Sequence, residues 1–335
     1  MYNSKIVGIG HYVPDNVVTN NDLAGMMETS DEWIVERTGI KERRWVVPES
    51  GDTPSSMGTK AAKKAIQNAG LTPDDIDFIV FATLSPDYYF PGPGVQVQEQ
   101  LGIKEIGALD VRNQCSGFVY GLSVADQFIK SGMYKNILLI GSEYHSGGLD
   151  KTTRGRGVTV IFGDGAGAVV LQRTEEKDKG VLSTHLHSEG KHAKELSLIG
   201  PATSRWVDAI MEDDDPEDTS YYPYMNGNFV FKHAVTRFQE VINEALQQNG
   251  YQPSDISLLI PHQANLRISQ FIQGKMKLRE DQVYNNIMKY GNTTAASIPL
   301  AMSEAWQDGK INDGDLVCLA AFGSGFTWAS ALIRW

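Results

Sequence analysis

Apolar residues along this chain follow two alternating periods, which predict strands and helices in turn. The run IDFIVFATL (76–84) is almost continuously apolar, a pattern typical of a strand covered on both faces. The segment SSMGTKAAKKAIQNAG (55–70) has helical spacing, with Ser55 as the expected cap and Gly70 as the expected stop. Three more strands are predicted, at KIVGIGHYV (5–13), IGALDV (106–111) and NILLIG (136–141). The alternation predicts an α/β fold with helices packed on a largely parallel sheet.

At Cys115 the apolar period changes to that of a helix. Val119, Leu122 and later apolar residues recur at helical spacing, and the pattern ends near Gly132. If a helix begins directly after Cys115, its N–H groups and positive end favour a thiolate. A nucleophile and a buried structural thiol both remain open at this point. The second cysteine, Cys318, lies inside the apolar run DLVCLAA, and we expect it in the core.

A faint internal repeat relates two distant parts of the chain. AIQNAGLTPDDIDFIV (65–80) aligns without gaps to ALQQNGYQPSDISLLI (245–260), with six of sixteen residues identical and a shift of 180 residues. A second pair, KSGMYKNILLIG (130–141) and QDGKINDGDLVCLAAFG (307–323), follows in the same order. The repeat predicts a duplicated α/β unit, with a site between the copies formed by the ends of corresponding strands.

The repeat also predicts how the chain is divided. We expect an N-terminal half at 1–175 with the candidate nucleophile, a connecting segment at 176–224, and a C-terminal half at 225–335. The connecting segment carries an acidic stretch at 211–218. A solvated loop is one interpretation of that stretch, and a lid or an insertion that contacts a second subunit is the other.

Composition and charge exclude several classes of protein. Hydrophobic residues make up 41% and charged residues 21%, an ordinary globular mix that argues against disorder. The net charge of −11 argues against a general nucleic-acid binder, and an acidic partner would need a local basic patch. No apolar run reaches the ~18 residues of a membrane helix, and we see no signal peptide. Two distant cysteines form no disulfide framework, so we expect a reducing cytoplasm.

Candidates for chemistry other than Cys115 lie mainly in the second half. His262 directly follows the apolar run ISLLI, at the carboxyl end of a strand, where α/β proteins place functional groups. Asn292 precedes another predicted helix, where it is either a helix cap or a group that points into the shared cleft. The histidines of HLHSEGKH have no strong metal-site spacing, so we expect a surface strand and loop there and no metal: His185, His187 and His192.

Two glycine-rich segments complete the candidates. FGDGAGAVVL (162–171) runs into a strand-like pattern rather than a helix, which disfavours a phosphate-binding loop. AAFGSGFTWASALIRW (320–335) also predicts a turn between two strands. Tight backbone near a site can supply N–H donors for an oxyanion.

Together these motifs resemble the β-ketoacyl-acyl carrier protein synthase III family, the condensing enzymes that initiate type II fatty acid synthesis. The resemblance rests on QCSGF, IFGDGAGAVVL, IPHQANLRI, YGNTTAASIPLA and FGSGFTWASALIRW, with DEWIVERTGI (31–40) near the start. These motifs occur in the family's order along nearly the whole chain. The resemblance implies a thiolase-like fold, in which duplicated α/β halves form a layered α-β-α-β-α sandwich, and this agrees with the repeat.

The resemblance also implies a catalytic site made of Cys115, His262 and Asn292. Cys115 would take the acyl group from an acyl-CoA, after which malonyl-acyl carrier protein would lose carbon dioxide and attack the acyl-Cys. His262 and Asn292 would stabilise the enolate, and the backbone N–H groups of Cys115 and Ser324 would form an oxyanion hole. The product would be a 3-oxoacyl chain on the carrier protein. No cofactor is expected, because acyl-CoA is a substrate.

Binding residues for both substrates are implied in the same way. Trp33 and Arg156 would flank the adenine of CoA, although ordinary packing is the alternative for Trp33. The phosphate or pantetheine arm would contact Arg37, Asn228 and Asn265. The basic patch for the acidic carrier protein would consist of Arg267, Lys232 and Lys275, with Gln263 beside it. A cytoplasmic homodimer that binds neither nucleic acid nor membrane is expected.

Departures from the family pattern leave the acyl primer undecided. The usual Gly-Gly-Gly-Phe turn has Ser324 as its second residue here, and a positive φ at Ser324 would cost energy. We expect Ser324 to be tolerated. Gln114 stands where small residues commonly precede the cysteine, and Phe90 resembles a position that closes the partner subunit's acyl pocket. Acetyl, branched and medium-chain primers all remain open.

Three functions are consistent with the sequence. The first is the initiating condensing enzyme. The second is a superfamily relative with another task, such as a secondary-metabolite acyltransferase or a long-chain condensing enzyme, and product analysis separates these two. The third is a noncatalytic acyl-binding or carrier-binding subunit, which the joint presence of Cys115, His262 and Asn292 disfavours.

Overall fold

The computed structural model describes residues 2–200, 202–203 and 218–335. The strands, in chain order, are β1 Asn3–Tyr12, β2 Val17–Thr19, β3 Glu42–Arg44, β4 Phe78–Ala82, β5 Gly107–Val111, β6 Asn136–Glu143, β7 Gly165–Thr174, β8 Gly180–Ser188, β9 Leu196–Ser197, β10 Tyr224–Met225, β11 Leu258–Pro261, β12 Leu316–Gly323 and β13 Thr327–Arg334. The helices are α1 Asn20–Ala24, α2 Asp31–Thr38, α3 Pro54–Asn68, α4 Pro93–Gln100, α5 Gly117–Lys130, α6 Arg156–Thr159, α7 Gly227–Asn249, α8 Leu266–Met276, α9 Ile287–Tyr290 and α10 Ser297–Gln307. Apart from Asp218, the acidic stretch predicted at 211–218 lies outside the described residues.

Two mixed sheets carry the duplication that the sequence repeat predicts. The first has the order β1-β7-β6-β4-β5 and the second the order β11-β12-β13-β8. The pair β4–β6 is parallel like β11–β12, and the following pairs β6–β7 and β12–β13 are both antiparallel. At the end of each series, β1 pairs antiparallel with β7, and β8 pairs antiparallel with β13. Four strands of one sheet therefore have counterparts in the other.

The local repeat is confirmed in detail. Short 3-10 turns at Pro73–Asp75 and Pro253–Asp255 lead into β4 and β11, and each is closed by a reciprocal cap from its aspartate. β8 lies in the predicted connecting segment, yet it is the counterpart of β1. The second copy thus begins near Gly180 rather than at 225, because its first strand is the edge strand of the second sheet.

Five layers stack as the fold class predicts. Alternate residues of β4 explain the layering, because Val80 packs inward with α5 and α10, while Phe81 packs outward with α3. In the second sheet Val317 likewise faces the central helices and Cys318 faces the outer helices α7 and α8. The sequence of layers is α3 and α4, first sheet, α5 and α10, second sheet, α7 and α8. Among the described residues, no helix has the length and apolarity to cross a membrane.

Two local predictions are wrong. The sheets are mixed rather than largely parallel, because β12 returns as β13 in an antiparallel hairpin and β7 pairs antiparallel on both sides. The helix predicted from Ser55 begins at Pro54, and Thr53 caps it by accepting the backbone N–H of Ser56 at 3.2 Å. Ser55 is the second residue of the helix, two positions after the cap, and its hydroxyl instead donates to Asp87 at 2.7 Å.

Candidate active site

A cavity of about 430 Å³ lies between the two halves, and the three predicted catalytic residues line it together. Cys115 comes from the turn before α5, His262 follows β11, and Asn292 precedes α10. Apolar side chains form much of the remaining wall, including Phe238 and Phe322. The cavity therefore offers a mostly apolar chamber with a few polar groups directed into it, which is typical of a small-molecule site.

Cys115 is held against the glycine-rich turn after β12. It is 7% exposed and lies in a 3-10 turn that runs directly into α5. A Cβ placed on Gly323 would be 2.8 Å from the Cys115 sulfur, so only glycine allows this approach. The backbone N–H groups of Cys115 itself and of Ser324 lie close enough to the sulfur to lower the pKa of the thiol. These two N–H groups can therefore donate hydrogen bonds to an oxyanion on a carbonyl group that bonds to the sulfur.

The resting thiol of Cys115 is protonated. Burial, together with the nearby Glu143 carboxylate, raises its pKa to about 12. The amide donors and the Thr294 hydroxyl act in the opposite direction, but burial outweighs them. The predicted helix start is present, but burial removes water from the sulfur and outweighs the stabilisation of a thiolate expected from the helix.

His262 is a neutral imidazole with one nitrogen available. Burial lowers its pKa to about 3, and the nearby His145 ring lowers it too. Its Nδ1 lies 2.6 Å from the hydroxyl of Ser297, and the backbone N–H of Gln263 donates to that hydroxyl oxygen at 3.4 Å. If the Ser297 hydroxyl donates its hydrogen to Nδ1, the proton of the neutral His262 ring lies on Nε2. Nε2 is buried and has no hydrogen-bond partner in the described part of the chain.

Asn292 is oriented by its own turn. Its Oδ1 accepts the backbone N–H of Thr294 at 2.8 Å, which leaves the amide Nδ2 as a donor on a residue that lines the cavity. Its backbone is fixed against Ile161 at 2.8 Å. Asn292 is thus a local cap, as one interpretation held, and also a cavity residue, as the other held. Together His262 and Asn292 place two neutral donors beside the cysteine.

Three further polar residues lie at the site and were not predicted from the sequence: Glu143, His145 and Thr294. Glu143 ends β6, fully buried, and burial raises its pKa to about 7 although Ser85 donates to it at 2.6 Å. His145 lies two residues beyond β6, and its Nε2 is 2.8 Å from the hydroxyl of Thr294. Glu143 ends the buried strand β6 and His145 follows it closely, just as His262 follows β11. The apolar run followed by polar residues that indicated His262 is therefore also present in NILLIGSEYH.

The predicted CoA residues gather at the cavity mouth. The guanidinium of Arg37 lies 4.5 Å from the Trp33 ring centre and that of Arg156 lies 5.1 Å from it. Trp33, Arg37, Asn228 and Asn265 line the cavity, and Arg156 is adjacent to the lining residue Gly157. Trp33 is half-buried, so it both packs against the core and presents a face to the mouth.

The predicted carrier-protein residues divide into two groups. Arg267, Lys232 and Lys275 are exposed on α7 and α8, which pack against each other, and Arg267 also lines the cavity. Gln263 is the correction, since it is 3% exposed and its amide is used internally. It donates to the Pro261 carbonyl at 2.7 Å and accepts the N–H of Asn286 at 3.0 Å. A side chain buried in this way supports the strand end and cannot contact a docked protein.

The remaining predicted residues lie outside the described cavity wall. Phe90 is 73% exposed, and Gln114 is partly buried with a φ of +43°. Ser324 has no positive φ, so the backbone strain considered for this position is absent. Its hydroxyl donates to the Leu196 carbonyl. In the described part of the chain, no cluster of three or more His, Cys, Asp or Glu could hold a metal ion.

Comparisons with known proteins agree over the whole chain. Residues 109–190 match the family model for 3-oxoacyl-(acyl-carrier-protein) synthase III, and residues 246–335 match the model for its C-terminal part. The β-ketoacyl-(acyl-carrier-protein) synthase III of Rhodospirillum centenum is 47% identical over 99% of both chains. Synthase III 1 of Vibrio vulnificus is 46% identical, also over 99% of both. The crystal structure of the Aquifex aeolicus 3-oxoacyl-(acyl-carrier-protein) synthase III is 43% identical, covers 99% of this chain and 100% of that one, and has a TM-score of 0.90.

Proposed function

Since this chain belongs to the 3-oxoacyl-(acyl-carrier-protein) synthase III family, we propose that its cavity condenses an acyl-CoA primer with malonyl-acyl carrier protein. The enzyme is a condensing acyltransferase that starts type II fatty acid synthesis and yields a 3-oxoacyl-acyl carrier protein. The observation that carries the proposal is the convergence of Cys115, His262 and Asn292 on one cavity. The alternative of another condensing enzyme is not favoured, because relatives over the full chain at 45–47% identity are synthases III.

The first half-reaction transfers the acyl group to Cys115. The Cys115 sulfur loses its proton and bonds the acyl carbon, while the CoA thiolate leaves and takes a proton. The N–H groups of Cys115 and Ser324, which favour negative charge at the sulfur, hold the oxyanion that forms at the acyl carbonyl. Because the resting thiol is protonated, acylation should be slow near neutral pH unless bound substrate favours the thiolate.

The second half-reaction depends on the two neutral donors. The malonyl thioester loses carbon dioxide, and the electrons of the broken bond pass to the thioester oxygen as an enolate. His262 donates from Nε2 and Asn292 from Nδ2 to that oxygen. The enolate carbon then attacks the acyl-Cys carbonyl and releases the Cys115 thiolate. A neutral imidazole suits this role because it donates a hydrogen bond without surrendering its proton, and the chemistry needs no resident cofactor.

Acyl-CoA and carrier protein approach by the same mouth. We assign Trp33 and Arg156 to the adenine, because a ring already in contact with guanidinium groups offers a stacking surface. Arg37, Asn228 and Asn265 are assigned to the phosphate and pantetheine arm. The exposed cations Lys232, Arg267 and Lys275 form the docking patch for the acidic carrier protein.

Salt separates the two substrates. Screening should raise the KM for malonyl-acyl carrier protein several-fold at high salt and change acyl-CoA loading less. Lys275→Glu should mimic that loss, and Lys310→Glu, an exposed lysine after α10, is the matched control. Equal salt sensitivity of loading and condensation contradicts this patch.

The first sheet leaves an edge that suits a second copy of the chain. β5 ends the sheet, is mostly exposed, and carries Leu109 at 37% exposure. Phe90 and Val95 are also exposed large apolar residues in the segment that precedes β5. An unpaired edge with apolar side chains needs a cover, so we propose a homodimer through β5. A monomer at micromolar concentration in sedimentation analysis would contradict it. The two unpaired buried thiols suit the cytoplasm.

Intact-protein mass spectrometry after mixing with acyl-CoAs tests the function. We expect one acyl adduct, absent in Cys115→Ala and retained in the matched variant Cys318→Ala. The preferred mass would identify the primer, including any role of Phe90 and Gln114 in its length. The absence of an adduct with acetyl, branched and medium-chain acyl-CoAs alike would reject the proposal.

A further inference from the structure

His145 and Thr294 form a hydrogen-bonded pair that the reaction described above does not use. His145 lies beyond β6 in the first half and Thr294 lies before α10 in the second, yet Nε2 and Oγ1 are 2.8 Å apart. His145 is 9% exposed and Thr294 is 1% exposed. A histidine and a threonine this deeply buried need partners, and each supplies one to the other. The pair therefore joins the two halves beside the nucleophile.

The backbone of Thr294 is held in an unfavourable conformation there. Its φ is +49°, and a β-branched residue in the left-handed region is a genuine outlier. In this conformation the Thr294 N–H donates to Asn292 Oδ1 at 2.8 Å. The hydroxyl of Thr294 bonds the His145 ring, while the Thr294 turn packs against the turn that carries Cys115, where the hydroxyl lowers the pKa of the thiol. Strain at such a position is typical of a functional constraint.

We infer that His145 and Thr294 are a positioning pair for the nucleophile, in which His145 holds the Thr294 hydroxyl so that it donates to the Cys115 sulfur as negative charge develops. The order of donation is His145 Nε2–H to Thr294 Oγ1, and Thr294 O–H to the thiolate. No proton changes owner in this arrangement. The pair acts from the side of β6, whereas His262 and Asn292 serve the incoming malonyl group. The inference rests on the proposed role of Cys115.

The charges around the pair suit this task. Burial keeps His145 neutral by lowering its pKa to about 3, so it acts through its N–H and not as a cation. Asp164 accepts the backbone N–H of His145 at 2.7 Å, and Phe162 packs on its ring at 4.8 Å. The other titratable groups at the sulfur are Glu143, which disfavours the thiolate, and His262, which is also neutral. A hydroxyl donor is thus one of the few groups that can favour the thiolate here.

Alkylation of Cys115 by iodoacetamide tests the pair without acyl-CoA or carrier protein. The rate is followed against pH on the full chain, with Cys115 and Cys318 separated by peptide mass spectrometry. Thr294→Val keeps the shape and the β-branch but removes the hydroxyl, and should slow Cys115 alkylation about ten-fold at each pH below the alkaline loss of stability. His145→Phe should act in the same direction. Thr294→Ser should restore the rate to within about two-fold.

A similar pair elsewhere provides the control. His11 Nδ1 lies 2.8 Å from the Ser303 hydroxyl, away from the cavity, and His11→Phe should leave the rate unchanged. If His145→Phe does not fold, His145→Gln should alkylate faster than Thr294→Val, because its amide can still donate. An unchanged Cys115 alkylation rate in Thr294→Val or in His145→Phe overturns the inference. A lower rate in both variants, restored in Thr294→Ser, supports it, even if no acyl-CoA forms an adduct and the proposed function fails.

Discussion

The two cysteines of this protein have the same pKa and different surroundings. Burial raises the pKa of Cys115 and of Cys318 to about 12. Cys318 is 0% exposed in β12, among the apolar residues that the outer helices cover, and its thiol faces the Leu319 carbonyl at 3.9 Å. Cys115 faces a cavity, two backbone N–H groups and a threonine hydroxyl. Reactivity therefore cannot be inferred from burial or acidity of the resting thiol.

The difference lies in what each site offers to a charge. A thiolate at Cys318 would have only apolar neighbours and a carbonyl oxygen near it, so nothing would compensate for lost water. At Cys115 the donors are already aligned, and substrate carries its own carbonyl into them. The site therefore stabilises negative charge at Cys115 and the substrate carbonyl only while a reaction is in progress. The comparison predicts that removing donors and removing space around Cys115 have separable effects.

Removal of the neutral donors should have the largest effect. His262→Ala or Asn292→Ala should lower the rate of 3-oxoacyl product formation by about 10²–10³-fold, as for other oxyanion donors. The acyl adduct at Cys115 should still form, because its oxyanion lies on the backbone N–H groups. Product formation and intact mass are measured on the same samples, with Cys318→Ala as the control. Loss of the adduct together with the product would show that these donors also serve acylation.

Loss of space beside the sulfur should have the next largest effect. Gly323→Ala brings a methyl group within 2.6 Å of the Cys115 Cβ, so the turn or the nucleophile must move. We expect acylation to slow at least ten-fold and the free energy of unfolding to fall by about 1–3 kcal/mol. Gly274→Ala in α8 meets nothing within 4 Å and is the matched control. It should gain about 0.5–1 kcal/mol. Normal acylation in Gly323→Ala would refute the close-approach argument.

The last prediction concerns alkaline stability rather than turnover, and here the two cysteines should behave alike. Each thiol titrates near 9.0 in the unfolded chain and near 12 in the folded chain, so the folded state holds more protons between these values. Stability should therefore fall as pH rises through that window, by about 1.4 kcal/mol per pH unit for each thiol. Urea unfolding checks this.

Single substitutions separate the two contributions. Cys318→Ala and Cys115→Ala should each remove one such slope, and acylation of Cys115 should do the same as Cys115→Ala. An unchanged slope in Cys318→Ala would mean that its thiol is less perturbed than its burial indicates.

Elements that depend on local sequence pattern could be predicted, whereas contacts that depend on which chain segments meet in the fold could not. The 180-residue repeat is confirmed by the paired turns at Pro73–Asp75 and Pro253–Asp255, because a proline-aspartate turn between helix and strand is locally encoded. The helix start after Cys115 and the strand end before His262 followed from the spacing of apolar residues. Glu143 and His145 stand at such an end too, but only the fold shows that β6 delivers them to the cysteine of another turn.

The errors have equally local causes. Gln263 follows His262 by one residue, and this places its amide inside the strand end rather than on the surface with Arg267. The thiolate expected at Cys115 counted the helix start but not the burial, which depends on packing of the second half. Ser55 lies two residues after the true cap, Thr53, because hydroxyl residues flank Pro54 on both sides and pattern alone does not choose between them.

Ser324 links the catalytic turn to the cavity rim. Its hydroxyl donates to Leu196, which pairs in β9 with β10, and both Leu196 and Met225 line the cavity. Because its φ is not positive, the serine also restricts the denatured chain more than a glycine would, at no cost in the folded turn. Ser324, whose N–H is assigned to the proposed oxyanion hole, is thus bonded to the cavity wall at Leu196. An acyl chain that displaces this wall would therefore also move the N–H that serves the acyl carbonyl.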